Sequence, residues 1–335
     1  MIFYSKIAAR KRKSPGWIWE NSPNAPEKCR FAWRGGEDLT PQTVLLKNDH
    51  MSVQVLLDWG YDRSRYDRGS TVGQVTVNGH TFLSRETDAS GGAGLGGVGL
   101  ATVYEWRDTA LYDSISVADQ FPLLGVGLLK KGDTAPFLFT RDYAVEPFAH
   151  QYETGGDFVT VHTLPAYCLG VAADITKTYS IEKNVLRVRF QIRNVGERAI
   201  HAVEFCHNFF RFDNAPVDAG YRVSFPYSVE PRMRRGEIAL GRNYYRIGAF
   251  DAPTASSSFF LNGWEGLRSH WMRIENEALG MSVLVEDDFP VCRGYSWNNP
   301  NACCPEIFAP IDLESGESVS YVRKYTFCAG ENGKK

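Results

Sequence analysis

The chain has 335 residues, of which 43% are hydrophobic and 23% charged, and its formal net charge is −2. This composition excludes a largely disordered chain, and the near-neutral charge argues against a nucleic-acid partner, whose phosphates favour a basic surface. No apolar stretch reaches the length of a membrane span. The basic cluster at residues 10–13 follows too short an apolar run for a secretory signal, so we expect a cytoplasmic protein without a membrane partner.

The N-terminal region differs in composition from the rest. Residues 1–45 are rich in Pro, Trp and charge, and we expect them to form an extension packed on the main domain. The main domain is predicted to span residues 46–329 without a linker or an internal repeat. Residues 330–335 are expected to form a disordered tail, as chain termini commonly do.

Alternation of apolar and polar residues with a period of two dominates the chain and predicts strands. Asn78-Gly79 lies between two of these runs, which is typical of a hairpin turn. The runs 186–193 and 200–210 are predicted to form an antiparallel hairpin, with Val203, Phe205 and His207 on one face. The other predicted strands are 53–59, 72–77, 80–83, 158–164, 175–181, 281–286 and 319–327.

No window keeps the helical period over three full turns, so helices should be few and short. Many strands with frequent Gly and Pro between them predict an all-β fold, either a large antiparallel sandwich or a barrel. High aromatic content suits a β-rich core, and it also suits a carbohydrate site where sugar C–H faces stack on rings.

Several short motifs point away from cofactor and metal chemistry. Residues 92–97 match G-x-G-x-x-G, but a polar segment precedes them and an extended one follows, so we expect a loop or bend bordering a pocket and not a dinucleotide site. The seven histidines and seven cysteines show no common zinc spacing. We therefore expect neither a cofactor nor a metal, although spacing alone leaves open a site assembled from distant residues.

Two residues are candidates for acid–base chemistry. His207 lies near the end of a strand-like run, and Glu306 follows Pro305 in an apolar setting that would desolvate its carboxylate. The alternatives are a histidine with a structural hydrogen bond in a sheet and a glutamate facing water at an edge. Arginines at residues 63–68, together with Arg85, could clamp ligand hydroxyls or an anionic group, or could be solvated loop residues.

At these residues the chain resembles a known superfamily. Residues 204–210 (Glu-Phe-Cys-His-Asn-Phe-Phe) resemble the histidine-bearing strand of aldose 1-epimerases, the galactose mutarotase-like proteins. Residues 306–327, with Leu-Glu-Ser-Gly-Glu-Ser at 313–318, resemble the end of that family, where a catalytic glutamate precedes a turn and a last long strand. The resemblance covers about residues 50–328 and implies a large twisted antiparallel β-sandwich with a concave sugar-binding face.

The resemblance also implies roles for individual residues. His207 matches the acid that protonates the sugar ring oxygen, and Glu306 matches the base that takes the anomeric proton. No cofactor is needed, and the partner is a small carbohydrate bound by a monomer or homodimer. The residues assigned to substrate binding are Arg68, Arg85, Asn208, Trp297 and Asn298.

One departure from the family keeps two other functions open. The upstream Asn-His-x-x-Gly-Gly element of the family has no counterpart, because residues 88–92 contain no histidine. A carbohydrate-binding protein without catalysis is therefore one alternative. An epimerase or lyase acting on a uronic acid is another, because the arginines could bind the substrate carboxylate.

Overall fold

The period-two pattern folds into strands along most of the chain. The computed structural model describes residues 42–59, 64–86 and 96–330. Helices in these ranges are limited to α1 (Ala110–Ser114) and one 3-10 turn at Phe212–Asn214. The strands, in chain order, are β1 (Gln42–Lys47), β2 (Met51–Leu57), β3 (Ser70–Val77), β4 (His80–Thr81), β5 (Leu100–Trp106), β6 (Gln120–Leu123), β7 (Gly127–Lys130), β8 (Val145–Pro147), β9 (His150–Thr154), β10 (Phe158–Thr163), β11 (Ala173–Glu182), β12 (Val185–Asn194), β13 (Ile200–Asn208), β14 (Tyr221–Ser224), β15 (Glu230–Arg235), β16 (Ile238–Leu240), β17 (Tyr244–Ile247), β18 (Ser257–Asn262), β19 (His270–Asn276), β20 (Met281–Asp287), β21 (Arg293–Asn299), β22 (Ala302–Leu313) and β23 (Ser318–Ala329).

Two ten-stranded antiparallel sheets form the body of the protein. The first has the order β1-β2-β3-β5-β13-β22-β21-β18-β15, with β4 paired to β3, and the second has the order β16-β17-β14-β19-β20-β23-β12-β11-β10-β9. A small third sheet contains β6, β7 and β8. This architecture confirms the predicted all-β antiparallel sandwich with few short helices.

The two predicted hairpins have different outcomes. Asn78 and Gly79 both have positive φ, 52° and 84°, and they join β3 to β4 as the sequence predicts. The prediction that residues 186–193 and 200–210 form a hairpin is wrong. β12 pairs with β11 and β23 in the second sheet, whereas β13 pairs with β5 and β22 in the first. Alternation of apolar and polar residues identifies a half-buried strand, but it does not show which sheet the strand joins.

The first sheet is apolar on both faces. Residues at even positions of β13, such as Ala202 and Cys206, belong to the core between the two large sheets. Residues at odd positions, such as Val203 and Phe205, belong to a separate cluster on the other face. This outer cluster consists of Trp59, Tyr66, Ala101, Val103, Val203, Phe205, Phe209, Ala302, Cys304 and Phe308. Trp59 and Tyr66, which follow β2 in the chain, therefore pack on the outer face of the first sheet.

The predicted domain limits stay a prediction. β1 spans the predicted boundary at residue 45 and pairs with β2 along its whole length. Most of the predicted N-terminal extension and all but the first residue of the predicted tail lie outside the described residues, as do most of the 92–97 glycine motif and Arg63.

Candidate active site

A proline in a central strand interrupts the backbone ladder. β22 contains Pro305, which has no N–H to donate. Regular pairing between β13 and β22 ends at Phe205–Phe308 and resumes at a Phe210–Cys303 bridge. The two pairs are separated by five residues on each strand, residues 205 to 210 on one and residues 303 to 308 on the other. The register is therefore kept across a stretch where side chains replace the backbone bonds.

His207 and Glu306 face each other in this stretch. His207 Nδ1 lies 2.6 Å from Glu306 Oε1. His207 is 7% exposed and Glu306 is 2% exposed, so water has little access to the pair. Because the two strands are neighbours and both side chains lie on the outer face of the first sheet, residues far apart in sequence form one dyad. The structure thus brings together the two predicted acid–base residues.

Arg65 fixes the protonation pattern of the imidazole. Its Nη2 lies 2.7 Å from His207 Nε2, and a guanidinium can only donate. Nε2 must therefore accept, and the proton of neutral His207 lies on Nδ1, where it bonds to Glu306. Arg65 therefore hydrogen-bonds to Nε2, the imidazole nitrogen that does not contact Glu306.

Cys304 lies next to both residues of the dyad, on the same face of the first sheet. Its Sγ donates to Glu306 Oε1 at 3.4 Å and lies 3.8 Å from His207 Nδ1. Burial, together with the Glu306 carboxylate, raises the pKa of the Cys304 thiol well above its ordinary value. The thiol is therefore a neutral donor. The contacts of Glu306 within the described part of the chain all involve Oε1, which leaves Oε2 to accept from a ligand.

Aromatic rings surround the imidazole. Phe209 stacks on His207 with ring centroids 5.5 Å apart and planes 7° from parallel. Phe205 and Tyr66 approach edge-on, at 5.0 Å and 5.7 Å. Rings at these positions restrict the rotation of the imidazole and exclude water, which strengthens every polar contact inside.

The loop that carries Arg65 forms the wall of the site. The Arg65 guanidinium lies over the rings of Phe139, at 4.8 Å, and Tyr66, at 5.5 Å. Tyr66 donates to Glu86 Oε2 at 3.3 Å, and the Gly97 backbone N–H donates to the same oxygen at 3.2 Å. Burial raises the pKa of Tyr66 well above its ordinary value, against the opposing effect of Arg65. Arg65 Nε is buried and has no hydrogen-bond partner among the described residues, so one donor is available to a ligand.

The three predicted aromatic and amide residues lie on different faces. Trp297 is half-buried beside the outer cluster, with its ring 6.4 Å from Phe209. Asn208 is buried on the opposite face, where Nδ2 donates to the Pro305 carbonyl at 2.7 Å and Oδ1 accepts from Tyr325 at 3.0 Å. Its side chain thus satisfies the Pro305 carbonyl, although the donor that Pro305 lacks is not replaced.

Asn298 also has a structural environment. It is fully buried, and Oδ1 accepts from the Cys304 backbone N–H at 3.2 Å. Nδ2 donates to Ser257 and Ser296 at 3.3 Å and 3.1 Å. Only Trp297, of these three predicted residues, lies where it could contact a ligand of the dyad.

Arg65 contacts the dyad, whereas the two arginines predicted to bind substrate, Arg68 and Arg85, lie elsewhere. Arg68 is 4% exposed, and its backbone bonds to Gly125 and Trp59. Arg85 is exposed, in a backbone bridge with Val98. The sequence indicates the arginines at residues 63–68 as a group but does not distinguish Arg65 among them, and it does not point to Cys304 or Phe209 as site residues. The spacing of Cys304 and Glu306 by two residues on a strand was the available signal for the thiol.

Replacement of Asn208 tests its structural role. We expect Asn208→Ala to lower the free energy of unfolding by about 1–3 kcal/mol, because the Pro305 carbonyl and the Tyr325 hydroxyl each lose a buried hydrogen bond. Urea unfolding measures the change. Asn262→Ala is the control, since that amide donates to Glu230 O at an exposed position, and a change within about 0.5 kcal/mol is expected. An unchanged stability of Asn208→Ala would contradict the assignment.

Comparison with solved structures reveals the fold. Galactose 1-epimerase from Lactobacillus acidophilus NCFM is similar over 91% of this chain and 100% of its own, with 14% identity and a TM-score of 0.51. An aldose epimerase homologue from C. elegans is similar over 87% of this chain and 99% of its own, with 12% identity and a TM-score of 0.51. A galactose mutarotase-like protein from Lactobacillus casei is similar over 86% and 100%, with 13% identity and a TM-score of 0.51. The chain has the galactose mutarotase-like fold.

Sequence comparison adds no relative of this chain, because no family model and no curated protein matches it. The fold agrees with the one that the histidine and glutamate motifs imply. Within the described ranges, none of the helices has the length and apolar character needed to cross a membrane.

Proposed function

We propose that this mutarotase-like protein interconverts the anomers of an aldose or a related sugar by acid–base catalysis. The observation that supports the proposal best is the 2.6 Å contact between His207 Nδ1 and Glu306 Oε1 on the outer face of the first sheet. The name galactose 1-epimerase, borne by a protein of the same fold, is consistent with it. A paired imidazole and carboxylate can give and take protons at neighbouring atoms of one small molecule.

The proposed reaction uses two oxygens of the sugar. Once Nε2 is free of Arg65, it can carry a second proton, and the carboxylate on Nδ1 stabilises the resulting imidazolium. His207 then donates from Nε2 to the ring oxygen while Glu306 Oε2 accepts the proton of the anomeric hydroxyl. The bond from C1 to the ring oxygen breaks and an aldehyde forms. After rotation about C1–C2, the ring closes on the other face, with His207 as base and Glu306 as acid.

Arg65 has to exchange one partner for another in this scheme. It bonds to Nε2 when no ligand is bound, so a sugar reaches the imidazole by displacing the guanidinium. The freed guanidinium can then donate to ligand oxygens, in the role that the sequence resemblance gave to Arg68 or Arg85. Trp297 is the proposed stacking surface for the sugar ring. The substrate is proposed to be a small carbohydrate, and a cytoplasmic location and a monomeric or homodimeric state stay predictions from the sequence.

Anomer exchange at equilibrium tests the proposal. We expect exchange spectroscopy by NMR to show faster interconversion with the protein than with heat-denatured protein for at least one sugar in a panel of aldoses, aldose phosphates and uronic acids. The uronic acids belong in the panel because Arg65 has no carboxylate within ion-pair distance in the described part of the chain. No acceleration with any sugar, at a protein concentration that saturates a measured binding site, would contradict catalysis.

Carbohydrate binding without catalysis is a second candidate. Limited access to the dyad favours this candidate. Arg65 hydrogen-bonds to His207 Nε2, and Glu306 is only 2% exposed, so neither group is open to a substrate in the unliganded protein. Calorimetry on the same panel distinguishes the two functions. Binding of a sugar whose anomer exchange is not accelerated would support the second candidate, and the absence of binding by any sugar would contradict both.

A further inference from the structure

Three metal-binding atom types converge at the dyad. His207 Nδ1, Cys304 Sγ and Glu306 Oε1 all lie within 4.8 Å of one another, and all three residues are buried. The separations are 3.8 Å from nitrogen to sulfur, 3.4 Å from sulfur to oxygen and 2.6 Å from nitrogen to oxygen. Cys304 carries a free thiol. Imidazole, thiolate and carboxylate are the ligands that zinc takes in proteins.

The distances can be compared with those of a tetrahedral zinc site. Ligand bonds of about 2.1 Å to nitrogen and oxygen and about 2.3 Å to sulfur give ligand–ligand separations of about 3.4–3.6 Å. The two separations that involve Cys304 already agree with these to within about 0.3 Å. Only the hydrogen-bonded pair, at 2.6 Å, is too close, and it must open by about 0.8 Å.

We propose that His207 Nδ1, Cys304 Sγ and Glu306 Oε1 form a binding site for Zn²⁺. The residues are positioned by the sheet itself, since Cys304 and Glu306 share one face of β22 and His207 lies opposite on β13. Sites on paired strands are held more rigidly than sites on loops. Three protein ligands leave one tetrahedral position for water or another small oxygen ligand.

Zinc binding changes the protons of the cluster. The ion displaces the proton from the Cys304 thiol and takes the place of the proton between Nδ1 and Glu306. One proton then lies on Nε2, where neutral metal-bound imidazole must carry it, and one is released to solvent. Arg65 has to turn away, because an N–H at Nε2 cannot accept from a guanidinium. Zinc therefore occupies the dyad in competition with the proton transfer proposed above, although its binding does not depend on that function.

The test measures metal binding without any sugar. Chelator-treated full-length protein is titrated with ZnCl₂ by calorimetry and with Co²⁺ by absorption spectroscopy, where a thiolate-to-cobalt charge-transfer band reports sulfur ligation. The wild type should bind one ion per chain and show the band. Cys304→Ala should weaken zinc binding by more than about 100-fold and remove the band, since loss of outer partners alone costs about 10- to 100-fold.

The adjacent thiol provides the matched control. Cys303 is fully buried on the opposite face of the same strand, so Cys303→Ala should keep both zinc affinity and the cobalt band. Glu306→Gln should also weaken zinc binding, and it provides the test of the site if Cys304→Ala does not fold. The proposal is overturned by a wild type without the thiolate band, or by binding that Cys304→Ala and Glu306→Gln leave unchanged.

Discussion

We expect His207→Ala to lower the catalysed rate of anomer exchange by about 100- to 10,000-fold, the usual contribution of a positioned general acid or base. The variant loses the group that protonates the ring oxygen, and Glu306 loses the Nδ1–H that holds its carboxylate. Glu306→Gln should cost a similar factor, because an amide cannot accept the anomeric proton. The rates are measured by NMR exchange on the sugar that the wild type interconverts fastest.

The double variant distinguishes a dyad from two separate catalysts. Residues that act as one unit show strongly non-additive effects, so His207→Ala combined with Glu306→Gln should be little slower than either variant alone. His162→Ala is the matched control, since its Nε2 bonds to Asp174 at 2.7 Å in the second sheet, away from the site. Multiplicative losses, or an undiminished rate in either single variant, would contradict the shared role.

The second large effect concerns stability. We expect Arg323→Met to lower the free energy of unfolding by about 3–5 kcal/mol, the usual cost of removing one partner of a buried ion pair. Arg323 is 2% exposed and bonds to Glu204 at 3.1 Å and Asp287 at 2.8 Å. It also donates to the Ile307 carbonyl at 3.0 Å, so one side chain of the second sheet holds two strands of the first. Its loss leaves two carboxylates buried without their cation.

The neighbouring residue provides the comparison. Lys324 pairs with Glu286 at 2.7 Å on the surface, so Lys324→Met should change the free energy of unfolding by no more than about 1 kcal/mol. Chemical denaturation of both variants measures the difference. Equal effects of the two substitutions would show that the buried network does not hold the sheets together.

Strand alternation accounts for most of what the sequence predicts correctly. It identifies β13 as a strand with Val203, Phe205 and His207 on one face, and this face carries the dyad. The same rule explains two unsuitable choices of ligand-binding residue. Asn208 follows His207 directly and Asn298 follows Trp297 directly, so each points to the opposite face of the first sheet, where its amide completes structural hydrogen bonds.

Other features could not be obtained from local pattern. The connection from β12 to β13 crosses between sheets, which depends on long-range pairing with β22 and β23. Arg65 lies in a segment without periodicity, where nothing in the sequence separates it from Arg68. The apolar setting of Glu306 made it a candidate, but that His207 and Glu306 lie opposite each other follows from the pairing of β13 with β22, which local pattern does not give.

Which ring nitrogen of His207 carries the proton shows whether His207 and Glu306 form the proposed dyad. In protein labelled with ¹⁵N at histidine, long-range ¹H–¹⁵N spectra distinguish the two ring nitrogens. We expect unliganded His207 to carry its proton on Nδ1, bonded to Glu306, and a bound substrate sugar to change the Nε2 resonance as Arg65 is displaced. A proton on Nε2 in the unliganded protein, or a His207 spectrum unaffected by saturating sugar, would contradict it.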